Sequence, residues 1–212
     1  MDERIVDVPV RELVERLATS DPVPGGGSAA ALTGAMAAAL VHMVVDLSVG
    51  RPAAADHESE LLEIGVASAQ FQSELLALAD ADATAYASVV AARRLPHGTE
   101  LEQEARRVQV AAAIRDAIRA PLAVASAASE VLALATRLPP IGSRNAISDV
   151  GVAALLSAAA VRGAMLNVEI NLPSVVHDDA LRAEAISAVE RHGGDLAERE
   201  VKVQDAVSER MR

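Results

Sequence analysis

Apolar residues recur along this chain at the three- and four-residue spacing of α-helices almost from end to end, and the two-residue alternation of a half-buried strand is absent. The pattern predicts helices over residues 9–19, 27–49, 57–94, 99–137, 145–171 and 178–211. Between them stand "SDPVPGGG", "GRPAAAD", "LPHGT", "LPPIGSRN" and "NLPSVVHDD", each with proline, glycine or a capping residue. Pro121 in "IRAPLAV" should kink the fourth helix without ending it, because the periodicity resumes on both sides. No repeat or low-complexity tail interrupts the pattern. The expectation is an all-α fold, one domain over residues 1–212, built as an alanine-rich bundle of about six antiparallel helices.

Alanine offers little apolar area per residue, so such helices must approach closely to bury enough surface. Phe71 and Tyr86 are the only aromatic side chains, which leaves a monomer few bulky anchors. The flat faces of helices 27–49 and 145–171 therefore predict a homodimer in which one helical face meets its copy. Residues 29–45 approach membrane-spanning length, but their alanine content, His42 and the lack of flanking Lys/Arg favour a buried bundle helix. Thirty acidic against nineteen basic residues leave a net charge of −11, which argues against nucleic acid and anionic membrane surfaces as partners. The absence of cysteine removes disulfides, thiolate metal sites and cysteine nucleophiles. With no basic segment before an apolar run at the N-terminus, the expected location is cytoplasmic.

Candidate chemistry lies in three stretches. In "PVPGGGSAAALTGAM", Gly25, Gly26 and Gly27 lead straight into an alanine helix. The first N–H groups of a helix lack intrahelical partners and carry the positive end of its dipole, so a glycine turn can present them to a ligand, and Ser28 adds a hydroxyl. A plain glycine turn with a serine cap is the alternative, since neither GxxxxGK[ST] nor GxGxxG is present. In "LADADATAYASVVAARRLP", Asp80 and Asp82 point about 200° apart around a helix and cannot share one pocket. Leu75, Ala79, Ala83, Tyr86 and Val90 mark the expected buried side, with Asp82 at its edge and Asp80 well away from it. A carboxyl group beside an apolar face has a raised pKa suited to acid or base work near neutrality; most lone aspartates are simply solvated.

In "SRNAISDVGVAALLSAAAVRGAMLNVEINL", Asn145 is the expected N-cap, with Asp149 in the first turn. Asp149, Leu156, Ala160, Gly163, Asn167 and Asn171 share one stripe, and amides on an apolar face need partners from neighbouring helices or from a ligand. Asp149 and Asn167 stand about 27 Å apart along an ideal helix. If both touch ligand, the site is elongated or built from two chains. His42, His57, His97, His177 and His192 form neither HExxH nor Glu-x-x-His, and no G-x-S-x-G elbow occurs, so no metal site is expected. His42 reads as a satisfied core histidine.

In this order, and over nearly the whole chain, the three stretches resemble the cyclodeaminase/cyclohydrolase family. That family includes the C-terminal domain of formiminotransferase-cyclodeaminase and stand-alone bacterial methenyltetrahydrofolate cyclohydrolases. The resemblance implies an all-helical dimer acting on a small folate substrate, at the one-carbon unit that bridges N5 and N10 of tetrahydrofolate. It also implies that the Asp-x-Asp-Ala segment, Asp80 and Asp82, carries the acid/base, and the helical faces described above rank Asp82 ahead of Asp80. Read with the residues above, it puts substrate contacts at Gly25, Gly26, Gly27, Ser28, Tyr86, Asn145, Ser148, Asp149, Asn167 and Asn171. Two departures bear on recognition: His97 where the family commonly has lysine, and Ser143 where it commonly has asparagine. The leading expectation is formimidoyltetrahydrofolate cyclodeaminase, closing 5-formiminotetrahydrofolate to the methenyl compound with release of ammonia. Methenyltetrahydrofolate cyclohydrolase is the alternative, and a non-catalytic helical folate-binding or scaffold protein the third. No cofactor is expected, because both substrates already carry an electrophilic carbon.

Overall fold

The computed structural model describes residues 4–176 and 178–212. Among them are seven α-helices and no strand: α1 (Val10–Leu17), α2 (Gly26–Asp46), α3 (Glu58–Arg93), α4 (Glu100–Ile141), α5 (Ile147–Asn171), α6 (Asp179–Gly194) and α7 (Leu196–Met211). Short 3₁₀ turns occupy Ile5–Asp7, Pro52–His57, Arg144–Ala146 and Leu172–Ser174. The fold is all-α, as the periodicity implies.

Two boundaries differ from the sequence pattern. The last helix is two helices, because Gly193 and Gly194 weaken the end of α6 and the chain restarts at Asp195. The fourth runs beyond residue 137 to Ile141, through both Pro139 and Pro140. Those prolines cost ladder hydrogen bonds, but Leu134, Ala135, Leu138 and Ile141 hold the final turns in the core. The Gly142 N–H then closes the helix on the Leu138 carbonyl at 2.7 Å. Pro121 lies buried inside a continuous α4.

α2 is the axis of the bundle, packed against α3, α4 and α5. Its small residues allow that position. A Cβ on Gly34 would lie 3.1 Å from Leu75 of α3, and one on Gly163 of α5 would lie 3.2 Å from Ala30. Larger side chains would push the helices apart. Ala31, Ala37, Ala38, Val41 and Val44 of α2 are fully buried in one core with Leu61, Ile64, Leu132, Leu138, Val150 and Val161. α7 covers the same core with Val203 and Val207, whereas α6 packs Leu181 and Ala185 onto a smaller cluster around Ile118 and Val168. By length and composition alone, four stretches, Gly26–Asp46, Pro52–Arg93, Glu100–Ile141 and Arg144–Ser174, could cross a membrane; here their helices pack on one another.

Candidate functional site

α2 begins with Gly25 as an extended N-cap that supplies no side-chain cap. The missing cap comes from another helix. The Asp82 carboxylate of α3 lies against Gly27, where an added Cβ would overlap both carboxylate oxygens and their carbon. Ser28 Oγ stands 3.0 Å from Asp82 Oδ2 and 3.1 Å from the Ala79 carbonyl, so its one proton serves either acceptor in turn. The Ser28 backbone N–H also donates to the carboxylate. A carboxylate at a helix start is favoured by the unpaired N–H groups and the dipole.

Glycine is needed here for room. None of Gly25, Gly26 and Gly27 has a positive φ; among the described residues only Gly50 does. The three are not equivalent either. A Cβ on Gly26 would meet Asn167 Nδ2 at 3.6 Å, an ordinary contact, whereas Gly27 admits no side chain while Asp82 stays in place.

Burial raises the Asp82 pKa above its ordinary value of 3.8, and the two hydrogen bonds from Ser28 oppose that shift without cancelling it. No basic side chain pairs with Asp82 among the described residues. A carboxyl group held nearer to neutrality than usual can accept a proton and return it in one cycle.

Above the carboxylate is a cavity of about 150 Å³ walled by Gly25–Gly27, Asp82, Tyr86, Ala117, Asn167 and Asn171, with Pro22 and Val23 at one side. Asn167 Nδ2 donates to the Gly163 carbonyl at 2.8 Å, and Asn171 Nδ2 to the Asn167 carbonyl at 2.9 Å. Asn171 Nδ2 also donates to the Ala117 carbonyl of α4 at 3.4 Å, so both amide nitrogens are engaged within the fold, while the two Oδ1 atoms accept no hydrogen bond among the described residues. Tyr86 is 47% exposed and stands on the rim. That corrects the expected buried stripe: beyond Ala79 the buried positions of α3 are Ala85, Val89 and Ala92, so the stripe turns away from Tyr86 and Val90.

Several expected site residues lie elsewhere. Asp80 accepts from Arg4 Nε at 2.9 Å and from the Ile5 N–H at 2.8 Å, tying the N-terminal turn to α3 outside the cavity. Asn145 is not an N-cap: it sits within the 3₁₀ turn Arg144–Ala146, and α5 starts from Ala146 with no side-chain cap. Asn145 and Ser148 are exposed, Asp149 is half-buried, and all three are at the end of α5 opposite Asn167 and Asn171. One chain thus brings together Gly25–Ser28, Asp82, Tyr86, Asn167 and Asn171, and keeps Asn145, Ser148 and Asp149 about 30 Å away.

A second cavity of about 480 Å³ lies further along α3 and α4, with Arg93, Arg106 and Arg107 over a floor of Val110 and Ile114. Sequence reading missed these arginines, because nothing local marks three cations from two helices as neighbours. His42 Nδ1 donates to the Gly65 carbonyl at 2.9 Å, which satisfies it within the α2–α3 contact. His177 lies outside the described residues. Among the described residues no three His, Asp or Glu side chains gather closely enough to share a metal ion.

A family model for formiminotransferase-cyclodeaminase matches residues 9–191. A methenyltetrahydrofolate cyclohydrolase of Methylorubrum extorquens is 36% identical over 89% of this chain and 89% of its own length. The formimidoyltransferase-cyclodeaminase of Rattus norvegicus is 31% identical over 84% of this chain, which spans 33% of that relative. The crystal structure of formiminotetrahydrofolate cyclodeaminase from Thermotoga maritima superposes with a TM-score of 0.84 at 25% identity, covering 95% of this chain and 96% of that one.

Proposed function

The chain belongs to the formiminotransferase-cyclodeaminase family, and from that premise we propose that it is a methenyltetrahydrofolate cyclohydrolase whose acid/base is Asp82. The observation that carries this reading is the Asp82 carboxyl group, with its raised pKa, in a cavity at the start of α2. The cyclohydrolase named above, matched over most of both chains, favours ring opening. The Thermotoga maritima cyclodeaminase, with the same fold over nearly its whole length, favours ring closure as the second reading.

In the hydrolysis, Asp82 removes a proton from the water that attacks the methenyl carbon. The tetrahedral carbinol loses its hydroxyl proton as the C–N5 bond breaks, N5 receives the proton held by Asp82, and one proton leaves to solvent. In the ring closure, Asp82 takes the N10 proton as N10 attacks the protonated formimino carbon. It then passes that proton to the departing nitrogen, which leaves as ammonia. Asn167 and Asn171 offer Oδ1 acceptors for pterin N–H groups, and Tyr86 offers a flat face at the rim. Arg93 lies on the same face of α3 three turns beyond Asp82, about 16 Å along the axis. The arginine-lined cavity there suits the glutamate carboxylates of the folate tail. His97, whose carbonyl accepts from Gln103 in that cavity wall, stands where the family commonly has lysine, so the tail relies on the arginines instead.

The same proposal includes a homodimer, working as one domain in the cytoplasm without cofactor, nucleic acid or membrane. Met36, Met43 and Leu47 of α2 and its C-terminal end, with Leu62 and Val66 of α3, are exposed apolar side chains that a second copy would cover. Light scattering at micromolar concentration should then give twice the 21.9 kDa chain mass. The reaction itself is tested at the methenyl absorption band. Accelerated loss from methenyltetrahydrofolate supports the cyclohydrolase, and appearance from 5-formiminotetrahydrofolate supports the cyclodeaminase. If neither change occurs, the non-catalytic reading stands.

A further inference from the structure

At the end of the bundle opposite Asp82, a cavity of about 350 Å³ has Arg51, Arg144 and Arg210 in its wall and no carboxylate. Arg51 precedes the 3₁₀ turn Pro52–His57, Arg144 opens the turn before α5, and Arg210 comes from the last turn of α7. None of the three has an Asp or Glu partner within 4.0 Å among the described residues, although Arg4, Arg115, Arg137 and Arg162 each do. In a chain of net charge −11, carboxylates are abundant, and three guanidinium groups meet here without one. The other arginine-lined cavity differs, since Asp178 in its wall is paired with Arg115 at 2.9 Å.

The cavity is also preorganised. Arg210 Nη2 donates to the Gly142 carbonyl at 3.0 Å, which holds the guanidinium in place, yet its Nε is buried with no acceptor. A buried donor without a partner costs free energy that an incoming acceptor would recover. The opposite wall is locked by the Ser143 N–H on Ser48 Oγ at 2.7 Å and by Ser48 Oγ on the Val44 carbonyl at 2.6 Å. The side-chain amide of Asn145 borders the same space with no intramolecular hydrogen bond among the described residues. Guanidinium forks match the oxygen spacing of phosphoryl and carboxylate groups.

We propose that this cavity binds a multiply charged oxyanion, either a phosphoryl group or clustered carboxylates, at a site separate from Asp82. The proposal does not depend on which folate reaction, if any, Asp82 performs.

Calorimetric titration of the full chain at constant ionic strength, with inorganic pyrophosphate and with tricarballylate, tests it against sodium chloride as reference. Saturable binding of pyrophosphate alone identifies a phosphoryl ligand, and binding of tricarballylate identifies a polycarboxylate. In the double variant R51Q/R144Q, which changes two exposed side chains, affinity should fall about tenfold or more, as expected for two lost charge-assisted contacts. D82N should bind the same anion as the unmodified chain does. Absence of binding beyond the chloride reference, full binding by R51Q/R144Q, or loss of binding in D82N would each overturn the proposal. The last of these would put the anion in the Asp82 cavity.

Discussion

At one end of α5, Asn167 and Asn171 share a small cavity with a single half-buried carboxylate; at the other, Arg144 and Asn145 share a wider one with two further guanidinium groups. Both ends are polar, and both were candidates from the same stretch of sequence. Their physics differs. Burial raises the Asp82 pKa, so the proton on that carboxyl group is exchangeable closer to neutrality. Arg51 and Arg144 are exposed and present planar guanidinium forks to the solvent. A desolvated carboxyl group can move a proton, while an array of solvated guanidinium groups can only attract and orient. The end proposed for catalysis is therefore the one with less charge.

The largest expected effect falls on the proton-transfer group. Asp82→Asn keeps the shape and one acceptor oxygen for Ser28, but cannot cycle a proton. Turnover should fall by roughly 10²–10⁴ with the fold retained, measured as kcat at the methenyl band beside a melting curve. A variant with wild-type turnover would move the chemistry away from this end altogether.

Next in size is a test of room. Gly27→Ala puts a methyl group where the Asp82 carboxylate lies, so either the carboxylate or the start of α2 must shift. Overpacking of this kind costs roughly 1–3 kcal/mol, and turnover should drop by about as much as in Asp82→Asn or somewhat less. Gly26→Ala adds a methyl group at ordinary contact distance from Asn167 and should leave Asp82 undisturbed. Equal behaviour of the two variants would mean that the glycines act only through backbone freedom.

How much of this was legible in the sequence depends on distance along the chain. Helical periodicity located the first five helices to within a few residues, because alanine and leucine repeat at 3.6 whatever lies around them. The 100° step per residue separated Asp80 from Asp82, and the 1.5 Å rise separated Asp149 from Asn167, since both are properties of one helix. The seat of Asp82 on Gly27 joins residues 55 positions apart and leaves no local signature. Tyr86 was misplaced because the second half of α3 is at the edge of the bundle, where alanine on an exposed face looks the same as alanine in a core. Asn145 looked like a cap because a 3₁₀ turn delays the start of α5 by two residues, a shift that capping preferences do not encode.

A smaller effect separates the two aspartates by stability. Asp80 accepts two hydrogen bonds that hold the Ile5–Asp7 turn on α3. Asp80→Asn keeps one acceptor and loses the ion pair with exposed Arg4, so the melting temperature should fall slightly with turnover near that of the unmodified protein. Loss of activity without loss of stability would return Asp80 to the site.

The smallest expected effect is a dependence of that kind on pH, and its sign follows from the setting of Asp82. Its pKa in the fold is above the ordinary 3.8, so folding favours the neutral carboxyl group over the carboxylate. The stabilising contribution of the neutral group is complete below the unfolded value and is lost as pH rises through the folded one. The amide of the Asp82→Asn variant never acquires charge and escapes that loss. The melting temperature of Asp82→Asn minus that of the unmodified protein should therefore be least in acid, widen in the variant's favour as pH climbs above about 4, and level off beyond the folded pKa. Paired melting curves from about pH 4 to about pH 8 give this difference directly. A difference that narrowed with rising pH would mean that the Ser28 donors and the α2 terminus stabilise the carboxylate more than burial disfavours it. Burial would then not be what equips Asp82 to return the proton it takes.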